Sequence, residues 1–357
     1  MKSKSMGDDS LNPRQQQVLS AIVDHYIVKA EPVSSKVLSL NPVFHASSAT
    51  LRNTMAELTE MGYVEQTHAS AGRRPTDQGY RTYVEELMQP AVLEAEDRQT
   101  LESGLAGITD EQELLNQASL TLSRMTQLLG VAVTPAVEQG TFQHITLHTL
   151  EFGRVLVVLH ASGMVVRTIL SDETLNTSFY RLDSLANRIN FEMQGRPVSE
   201  ISQLLAQTTE KPMAADEAKA MQFLHRSIMK LLQAEQNQSL RVSGIHNLIR
   251  SRDFEKIEDV ESLLEMVESK IALVHFLRNQ ADSEGVHVTI GREERDGKPF
   301  RSLSIVTEAF DRGGSRGLVG VMGPKRLPYN RLVALVHHAA GLIMNHKTSP
   351  PGGENGF

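Results

Sequence analysis

The sequence predicts an α+β multidomain protein: a helical N-terminal unit, then helices around a central sheet that is interrupted by a further helical block. Three observations predict it. Apolar residues recur at helical spacing through residues 11–88, broken once by a short hairpin rich in Gly and Arg. Strand-like stretches rich in β-branched residues begin only at Phe142. Residues 178–236 then revert to helical spacing before strands resume at Val286. A chain of 357 residues has room for two or three domains. Hydrophobic residues make up 40% and aromatics only 5%, without Trp, so the cores must be aliphatic.

The first helix is expected from Asn12, a favoured cap, with Pro13 in its first turn. Val18, Leu19, Ile22, Val23, Tyr26 and Ile27 give it one apolar face, and Glu31-Pro32 ends it. A short second helix is expected around Ser34–Leu40 and a turn over Asn41–Ala46. The third helix runs from about Ser48 to Met61, capped by Ser47 and stopped by Gly62, with Leu51, Met55 and Leu58 facing inward. Tyr63–Gln66 and Arg73–Thr76 flank a small tip, Thr67–Gly72, and read as a hairpin; Thr76 caps a fourth helix through Met88. Residues 91–128 read as two helices joined near Gly107, with Thr109 and Gln112 as a capping box. Phe142–Thr149, Val155–His160 and Met164–Leu170 read as strands. Helices resume over 178–236, punctuated by Gly195-Arg196-Pro197 and Lys211-Pro212. Ile257–Gln280 reads as one long amphipathic helix; Val286–Ile290, Leu303–Thr307 and Gly317–Met322 as strands; and Leu332–Met344 as a closing helix. The tail 348–357 is expected to be disordered.

The chemistry concentrates in the N-terminal unit. The outward face of the third helix carries Ser48, Thr50, Arg52 and Asn53. Arg donates two hydrogen bonds to guanine and Asn bridges an adenine edge, so this face has the side chains that base reading in the major groove requires. The hairpin adds Gly72, Arg73, Arg74 and Thr76: small residues for close approach, and cations for the DNA backbone or minor groove. Ser35 and Lys36 on the second helix are placed to hold phosphate. Together these features read as a winged helix-turn-helix. Bulk charge does not carry that reading. The chain is −7 overall, and residues 11–83 hold seven cationic against six acidic side chains. A few well-placed contacts must then carry affinity, and a dimer reading two half-sites would double them.

The runs LNPRQQQVLSAIVDHYIVKAEPVSS and SSATLRNTMAELTEMGYVEQTHASAGRRPTDQGYRTYVEELM, with the C-terminal GLVGVMGPKRLPYNRLVALV, resemble the heat-inducible transcription repressor family HrcA over nearly the whole chain. The resemblance implies a winged helix, a GAF-like domain and a dimerising segment inserted into it. The corresponding division is 1–90 for the winged helix, 91–175 for linker helices and the first part of the GAF-like domain, 176–238 for the insertion, and 239–347 for the second part. It also implies a homodimer bound to an inverted-repeat operator in double-stranded DNA ahead of chaperone operons, with an activity that depends on the chaperonin. Arg52, Asn53, Gly72, Arg73, Pro75 and Thr76 match the family's pattern. Ser48, Thr54, Ala69 and Arg74 depart from it, replacing the usual Pro, Glu, Thr and an apolar residue; so do Leu40 and Asn41, where basic residues are usual.

Other functions find less support. The alternative is a metabolite-responsive winged-helix regulator with a liganded GAF-like domain, but no convergent polar constellation marks such a site. Asp311–Gly317 is Gly-rich without P-loop spacing and reads as a loop before a strand. Gly323-Pro324-Lys325-Arg326 reads as a connecting loop with solvated charges. The thirteen histidines include no His-Glu-x-x-His pattern. His144 and His148 share a strand face at a distance, and the adjacent His337 and His338 point apart. Cys is absent, excluding thiolate chemistry, and no nucleophile elbow is present. No catalytic, metal or cofactor site is expected. The N-terminus lacks an apolar signal region and no apolar run of about 18 residues exists, so a cytoplasmic protein without membrane contact is expected.

Overall fold

The computed structural model describes residues 11–66, 72–89, 91–135, 137–149, 154–161, 164–171, 179–201, 203–205, 215–251, 253–254, 261, 264–265, 267, 269–280, 284–291, 301–312 and 315–346. The expected hairpin tip at 67–71 and the tail 348–357 lie outside these residues.

Helix α1 (Pro13–Lys29) is fixed at its start by a reciprocal capping box. The Asn12 side chain accepts from the Gln15 amide and the Gln15 side chain accepts from the Asn12 amide, each at 3.0 Å. It ends where Ala30 enters the left-handed region at φ 57°. Ser34 caps the one-turn α2 (Ser35–Ser39), and Ser47 caps α3 (Ser48–Glu60). Leu51, Met55 and Leu58 of α3 are fully buried against Val18, Leu19 and Ile22 of α1. Strands β1 (Val64–Gln66) and β2 (Arg73–Pro75) pair antiparallel, with Gln66 opposite Arg73. Val33, in the connector before α2, exchanges both backbone bonds with Arg73 at 2.8 Å. A Cβ on Gly72 would lie 2.5 Å from the Val33 backbone, so glycine is required there by an internal contact. Thr76 caps α4 (Asp77–Thr82), which continues into a π-helical turn over Tyr83–Leu87.

The body is a three-layer α/β/α arrangement. Its five-stranded antiparallel sheet has the order β7-β3-β10-β9-β8, from β3 (Leu129–Val133), β7 (Leu240–Ser243), β8 (Val286–Ile290), β9 (Leu303–Arg312) and β10 (Ser315–Pro324). Helices α5 (Ala95–Leu105), α6 (Glu111–Thr126) and α11 (Tyr329–Asn345) share a core with Ala132, Val306, Val319 and Val321. Helices α9 (Ile245–Arg250) and α10 (Lys270–Arg278) share another with Val131, Val133, Leu318 and Met322. Neighbouring residues such as Leu318 and Val319 thus enter opposite cores, as strand alternation requires. The N-terminal unit continues the first of these cores, its residues forming one cluster with those of α5, α6 and α11.

Strands β4 (Phe142–Thr149), β5 (Arg154–Ala161) and β6 (Met164–Ser171) do not join this sheet. They form a separate three-stranded sheet. Its core is shared with α7 (Phe179–Met193) and α8 (Ala215–Gln238), and includes Val157, Leu159, Ile189, Leu224 and Ile228. The second core begins near Val137. The interruption leaves and re-enters the main sheet between neighbours: β3 pairs β7, and the Thr134 amide donates to Ser239 at 2.8 Å. Three local expectations also shift. The cap of α6 is Asp110, accepting from the Glu113 amide, instead of Thr109. Helix α10 begins after Ser269, so the helix expected over 257–280 is not continuous; much of its first half lies outside the described residues. Asp311 and Arg312 close β9 and Ser315–Gly317 open β10, so the Gly-rich stretch largely belongs to strands.

Candidate nucleic-acid interface

The outward face of α3 follows from its inward one. With Leu51, Thr54, Met55 and Leu58 buried, 3.6-residue periodicity turns Ala49, Arg52 and Asn53 outward, and all three are exposed. Ser48 and Thr50 are half-exposed at the helix start. Thr50 Oγ1 lies 3.0 Å from Ser47 Oγ, and Ser48 Oγ lies 3.0 Å from Ser35 Oγ, joining α2 to α3. Lys36 projects from α2, exposed. Among the described residues, the side chains of Lys36, Arg52 and Asn53 have no hydrogen-bond or ion-pair partner.

The ribbon separates its two arginines. Side chains alternate across a strand, so Arg73 and Pro75 face one side and Arg74 the other. Pro75 is buried. Arg73 Nε donates to Thr59 Oγ1 on α3 at 2.8 Å. Burial, and then the positive field of Arg52, lower the Arg73 guanidinium below its ordinary pKa. Arg74 Nε instead meets Glu65 Oε1 on β1 at 2.7 Å. The Thr76 hydroxyl lies 2.6 Å from the Gly62 carbonyl and accepts from the Gly79 amide at 3.1 Å. The ten residues singled out in the sequence therefore divide. Ser35, Lys36, Ser48, Thr50, Arg52, Asn53 and Arg73 belong to the α2–α3 surface. Gly72 is held against Val33. Arg74 and Thr76 line a cleft on the other side of the ribbon, facing the body.

That cleft is closed by contacts that local spacing did not suggest. Lys325 Nζ donates to Asp77 Oδ1 at 2.6 Å. Arg326 donates from Nε and Nη2 to the two Asp253 oxygens at 2.8 and 3.0 Å, and from Nη1 to the Ile27 carbonyl at 2.5 Å. Arg81 Nε reaches the Ile290 carbonyl at 3.1 Å. The Tyr80 and Tyr329 rings lie 5.9 Å apart. Lys325 and Arg326, expected as solvated loop charges, are instead clamps between the N-terminal unit and the sheet. Their partners in that unit lie 248 and 299 residues away, a distance at which sequence pattern carries no signal.

Four of the described histidines make ordinary contacts. His144 stacks on His160 across β4 and β5, with ring centroids 3.9 Å apart. His337 Nδ1 lies 3.0 Å from Glu308 Oε2, and His338 Nε2 lies 3.5 Å from Glu102 Oε1. No group of three or more His, Asp or Glu among the described residues is arranged to hold a metal ion. No described helix is long and apolar enough to cross a membrane.

Comparison with known proteins covers nearly the whole chain. Residues 112–333 match the family model described as the HrcA protein C-terminal domain. Heat-inducible transcription repressor HrcA of Chlorobium phaeobacteroides (strain DSM 266 / SMG 266 / 2430) is 30% identical, over 95% of this chain and 98% of that protein. The Brevibacillus brevis repressor of the same name is 31% identical, over 95% and 98%. That of Xanthomonas campestris pv. campestris is 32% identical, over 96% and 97%. A crystal structure of a hypothetical protein superposes with a TM-score of 0.60 at 23% identity, covering 95% of this chain and 99% of that one, a likeness of fold.

Proposed function

From the premise that the chain belongs to the HrcA family of heat-inducible transcription repressors, we propose that it represses chaperone operons by binding an inverted-repeat operator as a homodimer. In this reading residues 11–87 are a winged helix-turn-helix, α3 is the recognition helix, and β1–β2 with the intervening residues is the wing. The three-layer body is the GAF-like domain, and the unit around the second sheet is the dimerising insertion. The protein acts in the cytoplasm.

One observation supports the DNA-binding reading: among the described residues, Lys36, Arg52 and Asn53 stand exposed and without a partner on the α2–α3 surface, while the same unit is clamped to the body on its other side. A groove-reading helix needs free donors outward and a fixed orientation behind. Asn53 has the paired donor and acceptor that match an adenine edge. Two such units in a dimer read half-sites one or two helical turns apart. Repression is steric exclusion of the transcription machinery. Chaperonin enters as the supplier of folded repressor: a marginally stable protein loses its DNA-competent population when chaperonin is titrated by other clients.

The test is selection of duplexes from a random library by the full-length protein, followed by footprinting and sedimentation. An inverted repeat protected by a dimer is expected. Failure of a folded dimer to enrich any sequence overturns the reading. Gel shifts of heat-treated repressor with and without chaperonin test the dependence: recovery only with chaperonin is expected, and identical binding in both rules it out.

A further inference from the structure

We infer that Arg52 and Arg73 jointly hold one backbone phosphate where α3 meets the ribbon, and that Thr59 is the residue that positions Arg73 for it. The inference rests on the DNA-binding reading above and deepens it.

Arg52 and Thr59 are seven residues apart on α3, two turns along the same face. The Thr59 hydroxyl donates to the Met55 carbonyl at 2.8 Å. Its proton thus committed, its oxygen is left as an acceptor, and Arg73 Nε donates to it at 2.8 Å. The bond lays the Arg73 guanidinium against α3 on the stripe that leads to Arg52 and leaves both terminal nitrogens as donors. The positive field of Arg52 is felt at Arg73. Among the described residues, neither guanidinium has a carboxylate partner.

Two cations on one face, one of them held by Thr59, repel each other until an anion sits between them. A phosphate supplies that anion, with oxygens that planar guanidinium groups bind in pairs. Base edges do not: they are uncharged and leave the repulsion in place. Arg52 is thereby moved from guanine reading to backbone positioning, and the base-reading side chains of α3 become Asn53 and its neighbours at the helix start.

The experiment is the salt dependence of affinity on a duplex recovered by the selection described above, for wild type, Arg52→Ala, Arg73→Ala and the double variant. Each neutralised phosphate contributes about 0.9 to the slope of log K against log salt. With one shared phosphate, either single variant should keep nearly the wild-type slope, and the double should lose about 0.9 per half-site. A loss of about 0.9 per half-site in each single variant means separate phosphates and overturns the clamp. An unchanged slope with relaxed selectivity at one base pair in Arg52→Ala also overturns it. The role of Thr59 is read in the Arg52→Ala background, where Arg73 acts alone. There Thr59→Val should weaken binding about fivefold, the worth of one net hydrogen bond, and Thr59→Ser should restore it. Arg73→Lys, which keeps the charge and loses the Nε donor, should match Thr59→Val and serves if that variant folds poorly. No effect from either variant overturns the positioning role. A wild-type protein that selects no duplex overturns the DNA-binding reading itself, a different failure.

Discussion

Arg326→Met tests whether the N-terminal unit is held to the sheet by the clamp. The substitution keeps most of the apolar stem and removes three hydrogen bonds: two to the Asp253 carboxylate and one to the Ile27 carbonyl. Hydrogen bonds to charged groups contribute about 1.5–3 kcal/mol each when well shielded. The Arg326 and Asp253 side chains are 26% and 25% exposed, so water screens part of that and replaces some of it. The expected net loss is about 2–3 kcal/mol. In a chain of this size that lowers the melting temperature by roughly 5 °C.

Location matters more than size. Ile27 lies in the last turn of α1, so hydrogen exchange of the α1 C-terminal amides should accelerate in Arg326→Met. Arg331→Met is the control. It breaks a comparable pair, Arg331 Nε and Nη2 to Asp97 at 3.0 and 2.9 Å, between α11 and α5 inside the body. Arg331 is 43% exposed, so less than about 1 kcal/mol is expected, with no change at α1. Equal α1 exchange in the two variants would refute the reasoning, whatever their melting temperatures.

Gly72→Ala places a Cβ 2.5 Å from backbone atoms of Val33; the connector must move, and a loss of about 2 kcal/mol or more is expected by chemical denaturation. Asn53→Ala should relax selectivity at one base position by about 1–3 kcal/mol, read from affinities on single-base variants of the selected duplex. Glu308→Gln tests a pH effect. Burial raises the Glu308 pKa, and the bond to exposed His337 only partly opposes this. A raised pKa gives stability that is present below the ordinary carboxylate pKa and lost as pH rises through the folded value. Denaturation curves of Glu308→Gln should therefore gain on wild type across that window and run parallel above it.

The start and stop of each helix in the N-terminal unit were legible because they are local chemistry. Asn12-Pro13, Ser47 and Thr76 start helices as their side chains favour, Gly62 follows α3 in the left-handed region at φ 82°, and Leu51, Met55 and Leu58 are buried as spaced. Strand β3 was not legible. Leu129 continues the apolar stripe of α6, and a strand buried on both faces has no alternation to distinguish it. The break between them is Gln127, at φ 57°, where no glycine signals a left-handed turn. Strand β7 has four residues, too few for a period. The opposite facing of Arg73 and Arg74 was available from strand alternation. Thr59 was not available, because nothing in its spacing marks it as an acceptor for a side chain fourteen residues away. The departures from the family's pattern also have local reasons. Ser48 contacts Ser35, a contact the usual Pro lacks. Buried Thr54 donates to the Thr50 carbonyl at 3.3 Å, and Arg74 finds Glu65.

The near-neutral charge of the N-terminal unit now has an explanation in where its charges go. Of its acids, Asp24 accepts from the Tyr83 hydroxyl, Glu57 from Gln15, Glu65 from Arg74 and Asp77 from Lys325. Two of its cations, Arg74 and Arg81, are likewise spent on the ribbon and on the seam with the body. Among the described residues, the cations without a carboxylate partner on the α2–α3 surface are Lys36, Arg52 and the Thr59-held Arg73. A unit with a net charge near zero is in this way sorted: four of its six acids hold the fold together, and three of its seven cations stand on the α2–α3 surface. Affinity for a polyanion follows the field at the contact surface, which falls off within about 8–10 Å at moderate salt, rather than the sum over the unit. Of these four acids only Glu65 and Asp77 are met by cations among the described residues, while Asp24 and Glu57 are bonded to neutral groups that do not cancel their charge. Lys325→Ala, which releases Asp77 on the side of the ribbon that faces the body, tests how far such a field reaches: a loss of affinity for the selected duplex confined to low salt is expected, because screening cuts the Asp77 field at moderate salt.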